Sequence, residues 1–139
     1  MKKIVFLVLC GLFAIGTQAQ GLKTKYIQIK DVYHFQDEFN QYRVNSFLKH
    51  QLEEAGYVVF YESQELPAEV KADPCNMLKC NVERDKSMLA TQLQITLVNC
   101  KNEAVFTASG ESRLKEHRKS HVDAIKNALA YTVLSKKKE

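Results

Sequence analysis

Between Leu89 and Leu97 the chain alternates. Leu89, Leu93, Ile95 and Leu97 fall on one face, and Gln92, Gln94 and Thr96 on the other. A period of two marks a half-buried strand. A strand with one wet face belongs to an antiparallel sheet covered on one side only. This strand is expected over residues 88–98, the second of three in succession. The first is expected over residues 75–83, with Leu78, Cys80 and Val82 inward. Arg84, Asp85, Lys86 and Ser87 then turn it into the second. The third, over residues 104–109, follows Cys100, Lys101, Asn102 and Glu103, where Asn102 suits a left-handed turn position. Gly110 is expected to end the sheet.

Upstream the period changes. From about Asn40, Val44, Phe47, Leu48, Gln51, Leu52 and Ala55 recur at three- and four-residue steps, as in an amphipathic helix. Gly56 stands where a left-handed residue stops such a helix. Tyr26, Ile27, Gln28 and Ile29 precede it as a strand, and residues 31–38 read as a loop. Tyr57, Val58, Val59, Phe60 and Tyr61 follow as a continuous apolar strand, suited to cover on both faces. Residues 63–74 hold both prolines of the chain and read as a connection with one helical turn after Pro67. A last helix is expected from near Ser112, with Leu114, Arg118, Val122, Ile125, Leu129, Thr132 and Val133 on one face. It frays into Lys136, Lys137 and Lys138. The order is β-α-β, a connection, β-β-β and α. A β-α-β start implies a parallel pair with a right-handed crossover, and the hairpins add antiparallel pairs. The fold class is therefore α+β. One two-layer domain over residues 20–139 carries a mixed sheet of four to five strands and two helices.

Met1, Lys2 and Lys3 precede an apolar run from Ile4 to Ile15, and Gly16, Thr17, Gln18 and Ala19 follow. A charged start, a short apolar core and small residues at −3 and −1 make residues 1–19 a signal peptide. Roughly 20 apolar residues are needed to span a bilayer, and this run is shorter. The expected address is the periplasm or the extracellular space, with no transmembrane segment in the mature chain. Removing Lys2 and Lys3 from 20 basic residues leaves 18 against 16 acidic ones. That balance excludes a global nucleic-acid footprint. The basic residues concentrate toward the carboxy-terminal end.

Three cysteines remain after processing: Cys75, Cys80 and Cys100. An oxidising compartment favours a disulfide. On one extended strand, Cys75 and Cys80 would lie roughly 16 Å apart, beyond the ~7 Å limit for bridging. The hairpin brings Cys75 and Cys100 to one end of the sheet, so this pair is expected to bond and Cys80 to stay a packed thiol. Pairing Arg84 with Met88 leaves Cys75 opposite Leu97, three residues short, which a bulge or bend must absorb. The cysteine spacing matches no common zinc finger and no Cys-x-x-Cys redox pair.

His117 and His121 share a helix face at a spacing known from metal pairs. Arg118 replaces the glutamate that a zinc protease needs there, and Arg118 and Lys119 repel a cation. No nucleophile elbow surrounds Ser109, and no glycine-rich phosphate loop exists. No catalytic set, metal or cofactor is expected. Tyr26, Tyr33, His34, Phe35, Phe39 and Tyr42 cluster around the first loop, mostly as core and helix staple. Exposed together, Tyr33, His34, Phe35 and Phe39 would make a partner patch.

The end of the leader at Ala19 and Gln20, the passage from Leu52 to Phe60 and the stretch from Leu97 to Phe106 resemble small secreted proteins of unknown function from Bacteroidota. More distantly, the element order is similar to periplasmic modules of envelope assemblies, such as the amino-terminal domain of the Tol-system propeller protein and the periplasmic domains of curli-type secretion pores. These likenesses imply a compartment and a fold. The expected function is that of an exported, non-catalytic binding or assembly module, with an envelope protein or polysaccharide as partner. The alternative is a small exported enzyme with a site assembled from distant residues, including His34 and Asp37.

Overall fold

The computed structural model describes residues 24–85 and 89–135. The expected leader over residues 1–19, the turn residues Lys86 and Ser87, and the terminal lysines lie outside the described residues. The strands are β1 (Tyr26–Ile29), β2 (Val58–Tyr61), β3 (Met77–Asp85), β4 (Thr91–Val98) and β5 (Ala104–Ser112). The helices are α1 (Val44–Glu54), the short α2 (Ala68–Ala72) and α3 (His117–Leu129). One mixed sheet runs in the order β2-β1-β3-β4-β5. β1 pairs in parallel with β2 and β3, and β3, β4 and β5 are antiparallel. This is the expected α+β fold, with two long helices on one face.

The helix face carries the main core. Ile27, Ile29, Leu48, Leu52, Leu78, Cys80, Val82, Leu93, Ile95, Leu97, Ile125 and Leu129 pack there. On the other face, α2 covers only the parallel half, where Tyr26, Phe60, Val70 and Met77 form a smaller cluster. Among the described residues no helix covers the outer face of β3-β4-β5.

Local chemistry explains the boundaries. Gly56, at φ 101°, ends α1. Its N–H bonds to Glu53 O at 2.9 Å and that of Tyr57 to Leu52 O at 3.2 Å, the double bond of a Schellman stop. Before α1 the loop is tied from within. Asn45 Nδ2 donates to Lys30 O and Asp31 O, and Gln36 Nε2 donates to Asn45 Oδ1. Tyr33 is buried, and its hydroxyl donates to Cys80 O at 2.7 Å.

Several expectations change. β3 begins at Met77, so Cys75 sits in a 3-10 turn before it. β4 begins at Thr91, and Leu89 is 89% exposed. The longer connection moves the register, and Arg84 faces Leu93. That shift of five removes the three-residue shortfall, so no bulge is needed between β3 and β4. The turn at Cys75 takes up the remainder. Cys75 and Cys100 are bonded, with Cα atoms 5.0 Å apart. Asn102 holds φ 59° in the turn before β5.

Gly110 does not end the sheet; it lies inside β5, against α3. A Cβ there would lie 2.0 Å from Ala124 O and 2.3 Å from Ala128 N. The absent side chain lets the helix touch the sheet, and the small Ala124 and Ala128 complete the fit. The helix starts at His117, later than Ser112; of the expected stripe Ile125 and Leu129 are buried, and Ser120, His121, Ala124 and Ala128 complete the inward face. Arg118 is exposed and Leu114 is 52% exposed.

Gly110→Ala should lower the urea-unfolding free energy by about 2–3 kcal/mol through overpacking. Breaking the 25-residue disulfide loop with Cys100→Ser should cost about 3 kcal/mol by loss of the crosslink. Urea titration without reductant checks both.

Candidate functional site

The end of the hairpin farthest from the disulfide is charged on both faces. Strand alternation sends Glu83 and Asp85 outward and Arg84 toward the helices. On the outer face two cross-strand rows follow from the register: Glu83, Gln94, Ser109 and Asp85, Gln92, Glu111. Together they line a groove of about 590 Å³. Gln92 Nε2 donates to Glu111 Oε2 at 3.0 Å, and Arg113 Nε donates to Glu111 Oε1 at 3.2 Å. These bonds hold the Glu111 carboxyl below its usual range, so it remains a carboxylate.

On the helix side, a groove of about 530 Å³ is lined by Arg84, Arg113, Lys115, His117 and His121, with Asp85 as its one carboxylate. Among the described residues no carboxylate reaches Arg84 or Lys115. Next to it, a groove between α1 and α3 carries Arg43, His50, Arg118 and Lys119. Glu116 pairs with Lys119 at 3.4 Å, and the remaining Arg43, Arg84, Arg118 and Lys115 leave the helix layer with a basic excess around the head of α3.

His121 organises this side. It is 1% exposed. Its Nδ1 lies 2.6 Å from His117 O, and a carbonyl can only accept, so the proton sits on Nδ1. Nε2 then accepts from the Arg84 guanidinium at 3.4 Å. Tyr42 stacks on the imidazole at 4.2 Å, and Phe35 lies beyond at 5.9 Å. Arg84 also sits over the Phe35 ring at 5.4 Å. Burial pushes the His121 pKa down from 6.5; the His117 carbonyl opposes this, and the Arg84 and His117 charges add to it. Three residues of the adjoining turn, Asn40, Tyr42 and Arg43, hold φ of 57–60°. Such backbone is strained for residues with a Cβ, and strain concentrates where a side chain must be held in place. Here it delivers Tyr42 onto His121.

Of the residues singled out in the sequence, Tyr33, Phe35, Tyr42, His117 and His121 are linked by ring contacts, with Tyr33 and Phe35 stacked at 6.3 Å. Tyr33 is a core residue and takes no part in a surface patch. Phe35 is half-buried beside His121, His34 is exposed, and Phe39 is exposed with its edge on Tyr61 at 5.3 Å. His34 and Asp37 line neither charged groove. His117 and His121 are near, with ring centroids 6.4 Å apart, but both nitrogens of His121 are engaged within the protein. Among the described residues no group of three metal-ligating side chains converges. Cys80 is fully buried, and burial pushes its thiol up to about 12. Glu83, Arg84, Asp85 and Glu111 went unnoticed in the sequence. The available signal was a charge sign alternating along a strand.

No protein-family model matches the chain, and no curated protein does. A solved structure shares the fold. It is a point variant of PelC from Paraburkholderia phytofirmans, a dodecamer. The match has a TM-score of 0.52 at 14% identity and covers 85% of this chain and 96% of that one. This chain is therefore similar to PelC in fold. No helix among the described residues is long and apolar enough to cross a membrane.

Two outcomes follow. A depressed folded pKa means that the unfolded chain takes up the proton first. His121 thus contributes stability that is complete above its unfolded value of about 6.5 and is lost as pH falls through the folded one. Its neighbours are Arg84, His117, Tyr42 and Phe35, and none of them offers a carboxylate that would offset this. The thermal midpoint should fall between pH 7.5 and 5.5 (about one unit either side of 6.5), and His121→Gln should flatten that slope. Cys80 should resist a thiol reagent at pH 8 (roughly four units below its pKa) while folded and react fully in denaturant.

Proposed function

We propose that this protein is an exported, non-catalytic envelope module that works as one subunit of a homo-oligomer. The observation that carries this reading is the fold shared with a dodecameric protein over 85% of the chain. The Cys75–Cys100 bond suits an oxidising compartment, as does the leader over residues 1–19. The likeness to periplasmic modules of envelope assemblies supports the same address, and that to secreted Bacteroidota proteins adds no site. A non-catalytic role fits the chemistry. Cys80 is sealed as a thiol, His121 is committed to His117 and Arg84, and Glu111 is fixed as a carboxylate. The grooves present charge for a macromolecular partner, an envelope protein or polysaccharide, more than reactive groups for a small substrate.

The test is to express the full chain with its leader, fractionate the cells and weigh the processed protein. The expected mass begins at Gln20, in the periplasmic or extracellular fraction. Native mass spectrometry and light scattering should then find several copies per particle. A particle that stays monomeric at micromolar concentration overturns the oligomer, and an uncleaved cytoplasmic chain overturns the address.

A further inference from the structure

We infer that copies of this chain join head to tail, the acidic groove on the open face of the sheet receiving the cationic head of α3 from the next copy. The inference rests on the homo-oligomer proposed above and names its contact.

The argument starts from the geometry of one strand end. Alternation sends Glu83 and Asp85 to one face and Arg84 to the other; Arg84 and Asp85 border both grooves at the strand end, and the sheet side keeps an excess of carboxylates while the helix side keeps an excess of cations. Glu111 enlarges the acidic side, and Lys115 and Arg113 the basic side.

A two-fold axis through the centre of either groove would set it against its own twin, carboxylates on carboxylates or guanidinium on guanidinium, and a reciprocal two-fold pairing of unlike grooves would need both to face one partner although they open on opposite sides of the sheet. Like charges placed together cost several kcal/mol across an interface. A heterologous contact brings opposite grooves together instead, and repeating it closes a ring or extends a filament. Leu89, 89% exposed, and Leu114, 52% exposed, line the cationic groove and offer apolar surface to bury around the charges. The Glu111–Arg113 pair within one copy is exposed, so exchanging it for a pair between copies costs little. Charge complementarity of this kind fixes register and orientation. The second copy is favoured over an anionic polymer because it alone satisfies both grooves.

The experiment uses the processed full-length protein and two exposed double variants. Glu83→Lys with Asp85→Lys makes both grooves basic, and Arg113→Glu with Lys115→Glu makes the head acidic. Circular dichroism and disulfide mapping confirm that each variant folds. Each alone should associate roughly tenfold more weakly than the unmodified protein at low salt. Mixed in equal amounts, they should form alternating hetero-oligomers close to the original size. Raising sodium chloride from about 50 to about 500 mM should weaken the unmodified assembly. If both variants assemble as the unmodified chain does, or the mixture fails to recover, the charged contact is wrong while the oligomer stands. An unmodified protein that is monomeric throughout overturns both. Head reversal that spares the oligomer and abolishes retention on dextran sulfate would assign the basic groove to an anionic polymer and overturn the contact.

Discussion

The ladder between β3 and β4 is the constraint on which the other parts depend. Its register sets Cys80 against Leu97 and Val82 against Ile95 on the helix face. The same register aligns Glu83 with Gln94 and Asp85 with Gln92 on the wet face. β5 extends both rows, and β1 docks in parallel on the other edge of β3. The disulfide closes the ladder at one end, beside the turn that carries Cys75. A slip by one residue would turn every side chain of the strand to the opposite face.

The second constraint is the contact of α3 with β5 at Gly110. Backbone meets backbone there, with no side chain between. The close approach carries His121 into the interior, where its imidazole lies between Tyr42 and Arg84. A buried imidazole needs partners for both nitrogens, and the His117 carbonyl and the Arg84 guanidinium supply them. Core packing and the cationic groove thus share residues.

Much of the fold could be read from residue patterns. The alternation at Gln92–Leu97, the helix ending at Gly56 and the Cys75–Cys100 pair all rest on local chemistry or short-range geometry. The rest depended on distances no pattern encodes. The alternation runs on to Leu89 although the strand stops at Thr91, because side-chain type does not mark where a partner strand ends. The stripe of α3 was only partly read because Gly110, Ala124 and Ala128 contribute through smallness, and a hydrophobic period counts size as burial. The sequence showed His121 only as a helix-face neighbour of His117, because its partners Tyr42 and Arg84 come from distant segments. Of the four residues proposed as a surface patch, Tyr33 is claimed by the Cys80 carbonyl. The charged grooves were illegible for a related reason. Glu83 read as the last residue of a strand and Arg84 and Asp85 as a turn, until the register extends the strand through them.

That extension gives the molecule an electrical polarity. Shift β3 by one position and Arg84 trades sides with Glu83 and Asp85; carboxylates would then face His121, and the wet side of the sheet would turn positive. The bond between Cys75 and Cys100 opposes such a shift from the far end of the hairpin. A covalent link with no charge of its own therefore helps to set the sign of the field on each side of the protein. Wherever that bond forms, the sign is written into the covalent structure of the chain.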